Sequence, residues 1–214
     1  MNFPIKILHT ADLHLGRQFN GISLEEDHQA IFSQVVVAII KYHPDVFIIA
    51  GDIYGRTSPP NNSIKQFNTF LTRVARETIV AVVMIAGNHD SGDRIGSMSI
   101  MTDTKRALIQ GPLAADASSL VLKDAHGAVV FLTLPFAYGY AARKCFGVES
   151  IATPEDVLST QITAATWSTS MSKMRKWQRP HLICWKPAMW PQTWCFASKP
   201  ECAKLPNLPL SCGS

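Results

Sequence analysis

At 214 residues, 47% hydrophobic and 17% charged, the chain is long enough for one domain with a proper core, or for a domain plus an appendage. A formal charge of +4 permits a polyanionic partner without demanding one, and no apolar run approaches the roughly 18 residues of a membrane helix. The opening MNFPIKILHT lacks a signal peptide's basic end and long apolar region, and five cysteines, four of them after His181, form no evident disulfide framework. A cytoplasmic protein without membrane attachment is expected.

From Pro4 to about Pro135 the order is regular. IKILHT, DVFIIA, IVAVVMIA and AVVFLTLP are short, nearly uninterrupted apolar runs, the pattern of strands covered on both faces. Leu24 to Tyr42 carries apolar residues at helical spacing, and Ser23 with Glu26 predicts a capping box at its start. Asn62 to Glu77 reads as a second helix, entered after Pro59-Pro60. Strand, helix, strand, helix, strand implies a mostly parallel, layered α/β sheet, with ligands beyond the carboxyl ends of the strands. Pro154 to Lys176 predicts one more helix with Pro154 in its first turn. From Trp177 the composition changes: prolines recur, all five tryptophans follow Thr166, and Glu201 is the only acid after Asp156. The expected organisation is a domain over 1–176 and an atypical Pro/Trp/Cys-rich tail over 177–214.

Three strand ends look alike. ILHT runs into Ala11-Asp12-Leu13-His14, VFIIA into Gly51-Asp52, and VVMIA into Gly87-Asn88-His89-Asp90. Alternation in an extended Asp12-Leu13-His14 would put both polar side chains on one side with Leu13 pointing away. The glycines at 51 and 87 would let the backbone turn sharply or approach an ion closely. Carboxylate and imidazole donors without thiolate favour Mn²⁺, Fe or Zn²⁺. Two ions roughly 3.5–4 Å apart need a bridging carboxylate, for which Asp52 is the natural choice, and His89 is placed to protonate a leaving oxygen.

With those residues in view, the sequence resembles the calcineurin-like metallophosphoesterases, and within them the bacterial SbcD nuclease subunits, counterparts of the eukaryotic Mre nuclease. The resemblance rests on ILHTADLHLGR, DVFIIAGDIYGRTSPP, VVMIAGNHDSGDRIG and TLPFAYG and covers about residues 4 to 175. It implies a layered metallophosphoesterase-type β-sandwich flanked by helices, incomplete at its C-terminal side. Asp12 and His14 would hold a first metal, Asp52 would bridge, Asn88 would hold a second, and His89 would be the catalytic histidine. Arg17 and Arg56 sit where basic side chains would meet a DNA backbone. The resemblance further implies Mn²⁺ in a two-metal site, a homodimer, an SbcC-type ATPase subunit as partner, and hydrolysis of DNA phosphodiester bonds as double-strand exonuclease and single-strand endonuclease, in recombination and repair.

Two departures stand beside it. Gly55 follows GDIY where the family usually has aspartate, which loosens a loop but removes no ligand. The family also completes its site with a later-strand histidine and a Gly-His-x-His motif. This sequence has only His126 and His181 after His89, with Trp185 near the expected place. The lost ligands and lost periodicity begin together, which suits a truncated or frameshifted product holding one metal; a divergent protein with another use for its tail stays open. A phosphatase or small-molecule phosphodiesterase of the same superfamily is the alternative activity, and a non-catalytic fragment the alternative without one.

Overall fold

A computed structural model describes residues 4–101, 106–116, 119–124, 127–168, 181–185 and 195–197. The chain-order elements are β1 (Ile7–Thr10), β2 (Gln18–Phe19), β3 (Ile22–Ser23), α1 (Glu25–Tyr42), β4 (Val46–Ala50), α2 (Asn61–Glu77), β5 (Ala81–Ile85) and α3 (Gly92–Ser97). They continue with β6 (Ala107–Gln110), β7 (Ser119–Asp124), β8 (Gly127–Thr133), α4 (Gly139–Phe146), α5 (Pro154–Ser168), β9 (His181–Trp185) and β10 (Cys195–Ala197).

The first sheet has the order β1-β4-β5-β6, and every neighbouring pair in it is parallel. Its central strand explains why the sequence showed continuous apolar runs. Phe47 and Ile49 of β4 face α1 and α2, packing with Phe32, Val36, Phe67, Phe70 and Val74. Val46, Ile48 and Ala50 face the other way, against Leu120, Val129 and Phe131 of a second sheet. A strand covered on both sides has no polar face to show. The second sheet has the order β10-β9-β8-β7, with β7–β8 an antiparallel hairpin and β8–β9 parallel. On its far side Val130, Leu132 and Leu134 pack against Ala165 of α5, with Leu158 and Ile162 beside them. Helices, sheet, sheet and helix thus form four layers, the sandwich flanked by helices that the resemblance implied. Phe67 is fully buried, and truncating such a ring costs about 3–5 kcal/mol.

Several expectations change in detail. Leu24, not Ser23, is the N-cap residue of α1, and it makes no side-chain cap; the Ser23 hydroxyl accepts instead from the amide of Glu25 at 3.3 Å. Ser23 is committed to the β2–β3 hairpin, whose turn uses Asn20 and Gly21 with φ of 49° and 79°. The helix expected over Pro154–Lys176 is described to Ser168, and 169–176 lie outside the described residues. It opens with a reciprocal cap: Asp156 accepts from the amides of Ala152 and Thr153, and Thr153 Oγ1 accepts from the amide of Asp156. In the tail, where no period was legible, β9 and β10 extend the second sheet. No helix among the described residues is long and apolar enough to cross a membrane.

Candidate metal centre

The three parallel strands β1, β4 and β5 end side by side, so the loops after Thr10, Ala50 and Ile85 share one edge of the sheet. Backbone hydrogen bonds continue the pairing past the strands. The amide of Asp12 donates to Gly51 O at 3.2 Å, His14 to Asp52 O at 2.9 Å and Leu15 to Ile53 O at 2.9 Å. The segment expected to be extended is not. Asp12 and His14 have φ of 55° and 47°, and Asp52 has 50°, all in the left-handed region that L-residues avoid. Leu13 does turn away, into the core shared with α1 and α2. Among the described residues five non-glycine residues have positive φ. His43 caps α1 and Asn20 turns a hairpin, so the remaining three are all expected metal ligands. Each such residue costs about 1–3 kcal/mol, a strain that collects where side chains must be aimed.

The result is a cluster. Donor atoms of His14, Asp52 and His89 all lie within 4.8 Å of one another. His14 Nε2 stands 3.7 Å from Asp12 Oδ1 and 3.9 Å from Asp52 Oδ2, and the His14 and His89 rings meet edge to face at 5.1 Å. Donors bound at about 2.1 Å around one ion are spaced roughly 3–4 Å apart, so these separations suit a shared cation better than direct hydrogen bonds. Asn88 Oδ1 is buried and accepts no hydrogen bond, a costly state for a polar atom that a bound cation would relieve. Oxygen and nitrogen donors without sulfur fit a hard or borderline divalent metal. The residues present therefore fit the metal that the fold implies.

Asp52 is fixed from several sides. It is 6% exposed, and its Oδ1 accepts from the amide of His89 at 3.0 Å. A Cβ on Gly87 would collide with the Asp52 carboxylate and backbone nitrogen, so only glycine lets the two loops come this close. Gly51 supplies the turn itself with φ of 83°.

Asp90 has a part that the sequence did not reveal. It neither orients the His89 ring nor caps α3; Ser91 takes the cap, accepting from the amide of Arg94. Instead Asp90 Oδ1 accepts from the amide of Tyr54 at 2.9 Å, and Oδ2 from those of Ile53 at 3.2 Å and Gly87 at 2.9 Å. One carboxylate, 7% exposed, thus ties the loop carrying Asp52 to the loop carrying Asn88 and His89. Burial pushes its pKa up, against the three amides that pull it down. Burial also lifts the Tyr54 phenol, to about 12.

Arg17 and Arg56 are both exposed and leave the fold from paired segments, since Leu15 bridges Tyr54 and the amide of Gly55 donates to Leu15 O at 3.0 Å. His181 opens β9 opposite Val129, whereas Trp185 stands opposite Thr133 at the carboxyl end. That end adjoins the centre, because just beyond Thr133 the amide of Phe136 donates to Ala86 O at 3.1 Å. About 13 Å of strand separates His181 from Trp185, so His181 holds the wrong end of β9 to complete the cluster. His126 lies outside the described residues.

Comparison with known proteins agrees with this geometry. A family model described as calcineurin-like phosphoesterase matches residues 5–178. The chain is 33% identical over 155 residues to the SbcD component of the SbcCD nuclease from Staphylococcus saprophyticus, covering 72% of this chain and 40% of that relative. It is 30% identical over 170 residues to the same component from Staphylococcus epidermidis, covering 79% and 44%. The chain thus matches less than half the length of these relatives.

Proposed function

Because the chain belongs to the calcineurin-like phosphoesterase family, we propose that it is a hydrolase of the SbcD type, cleaving DNA phosphodiester bonds with the help of Mn²⁺. The observation that carries this reading is the meeting of Asp12, His14, Asp52 and His89 at one sheet edge, with the Oδ1 of Asn88, next in sequence to His89, buried and unpartnered. Asp12 and His14 would hold one ion, Asn88 a second, and Asp52 would bridge them. When bound, the metal supplies positive charge to the phosphate oxygens and lowers the pKa of the attacking water.

The chain's own residues do the rest. The positive-φ turns at 12, 14 and 52 hold their side chains in place before any ligand arrives, so no reorganisation is needed at the moment of reaction. Asp52 is locked through the amide of His89, which also sets where the His89 imidazole starts. That imidazole gives a proton to the leaving oxygen as the phosphorus–oxygen bond breaks. Arg17 and Arg56, exposed beside the cluster, would meet the DNA backbone and make binding fall with salt. Residues 1–176 act in this reading as the nuclease unit, which would pair with a second copy and with an SbcC-type ATPase subunit in cytoplasmic DNA recombination and repair.

The test is cleavage of linear duplex and single-stranded DNA in Mn²⁺. Cleavage is expected to vanish with chelator and to fall at least about 100-fold in Asp52→Ala. A folded sample that does not cut, or an Asp52→Ala variant that cuts as well as the parent, would refute the reading. A non-catalytic chain has one observation in its favour, Trp185 at the carboxyl end of β9. Titration calorimetry with Mn²⁺ separates the two, because that chain would take up one ion weakly rather than two.

A further inference from the structure

Beyond β8 the chain crosses the edge of the candidate metal centre as Leu134-Pro135-Phe136-Ala137-Tyr138-Gly139-Tyr140. Leu134 and Ala137 are buried and anchor it, Gln161 Nε2 donates to Pro135 O at 3.1 Å, and the amide of Phe136 donates to Ala86 O, three residues before His89. The aromatic residues follow one another at every second position. The rings of Phe136 and Tyr138 meet edge to face at 4.8 Å, and those of Tyr138 and Tyr140 lie nearly parallel, 11° apart, at 5.8 Å. Tyr138 is 55% exposed and Tyr140 67%. Burial therefore does not explain the two tyrosines, which stay more than half exposed on a segment tied down on both sides.

We propose that Tyr138 and Tyr140 form a stacking platform for unpaired bases of a DNA strand entering the metal centre. The inference rests on the phosphodiesterase reading and adds to it the substrate form that the site prefers. A base offers a π face whatever its sequence, and exposed aromatic rings beside basic residues are the usual way to hold a single strand. The basic residues are present: Arg143 and Lys144 lie in the last turn of α4, which begins at Gly139 between the two tyrosines. Arg143 is already held, with Nη1 donating to Ile151 O, so its charge is fixed on the segment, while Lys144 is exposed. The reach is short. Tyr138 and Tyr140 lie two and four residues past the Phe136–Ala86 bond, no more than about 7 and 14 Å of chain. Paired bases hide their faces in the duplex, so the platform acts on single strands and frayed ends and leaves an intact duplex alone.

The experiment uses the full chain with chelator present, so that nothing is cut. The probe is an oligothymidylate carrying one 2-aminopurine, whose fluorescence falls when it stacks, with a blunt hairpin duplex as reference. Parent protein and a Tyr138→Phe/Tyr140→Phe variant are expected to quench the probe and bind it alike. Tyr138→Ala/Tyr140→Ala is expected to lose the quenching and at least about tenfold in single-strand affinity, with hairpin binding within about twofold of the parent. Single-strand binding by the alanine variant within twofold of the parent, its circular dichroism being native, overturns the platform. Equal loss on hairpin and single strand overturns it as well, as does a parent that binds no single strand. Hydrolysis of bis(p-nitrophenyl) phosphate by the parent in Mn²⁺ reads the metal centre separately, so failure of the hydrolytic reading and failure of the platform remain distinct results.

Discussion

Replacing Asp90 by alanine removes the acceptor of three backbone amides at once, those of Ile53, Tyr54 and Gly87, all in buried residues. Each amide left buried without a partner costs about 1–3 kcal/mol. The sum is offset in part because the carboxylate is itself expensive to bury, as its raised pKa records. A net loss of about 3–5 kcal/mol is expected, a large share of the roughly 5–15 kcal/mol that holds a domain together. For a chain of this size it lowers the melting temperature by roughly 6–20 °C. Asp90→Asn is the sharper variant. Its one remaining oxygen can stay on Ile53 and Gly87 while its NH₂ faces the amide of Tyr54, so about 1–2 kcal/mol is lost. Urea unfolding of the three proteins gives the energies, and amide exchange at residues 53, 54 and 87 gives the location. Since this carboxylate sets the spacing of the loops bearing Asp52 and Asn88, Mn²⁺ affinity should fall in the same order, parent above asparagine above alanine. An alanine variant costing less than about 1 kcal/mol, or unchanged exchange at those amides, would refute the reasoning.

Gly87→Ala places a methyl group against the Asp52 carboxylate, so it should destabilise the fold by about 1–3 kcal/mol and weaken Mn²⁺ binding; calorimetry showing parental affinity would count against the close approach. Asn88→Ala should differ, because it deletes a buried oxygen that has no partner: thermal stability without metal is expected to hold within about 1 kcal/mol or rise, while metal affinity drops. A large loss of metal-free stability would show that Asn88 is structural. The cap of α5 sets a pH dependence. The amides of Thr153 and Ala152 hold the Asp156 pKa below its ordinary value, so its stabilising contribution is present above the unfolded-state pKa and is lost as pH falls through the lower folded-state value. Urea midpoints of the parent and Asp156→Asn should therefore differ near neutral pH and converge in acid; a gap that does not narrow as the pH falls would mean that the carboxylate's charge is irrelevant.

The sequence alone determined the alternation of β1, α1, β4, α2 and β5, because apolar runs such as Val46–Ala50 and the helical spacing within Glu25–Tyr42 are local patterns that report burial directly. It also singled out the candidate ligands, since Asp12, His14, Asp52, Asn88 and His89 each follow such a run within four residues. Only the tertiary structure decided how they meet. The left-handed turns at Asp12, His14 and Asp52 come from backbone bonds between segments about 40 residues apart, which no local pattern encodes. Asp90 shows the same limit: GNHD contains it, but its three donors lie in two loops, two of them 36 and 37 residues away. The pairing of His181 with Val129 rather than with a residue at the site edge is likewise a matter of strand register, fixed by β8 and not by β9 itself. Periodicity reads what each element buries, whereas the partners it meets depend on contacts that are distant along the chain and adjacent only in the fold.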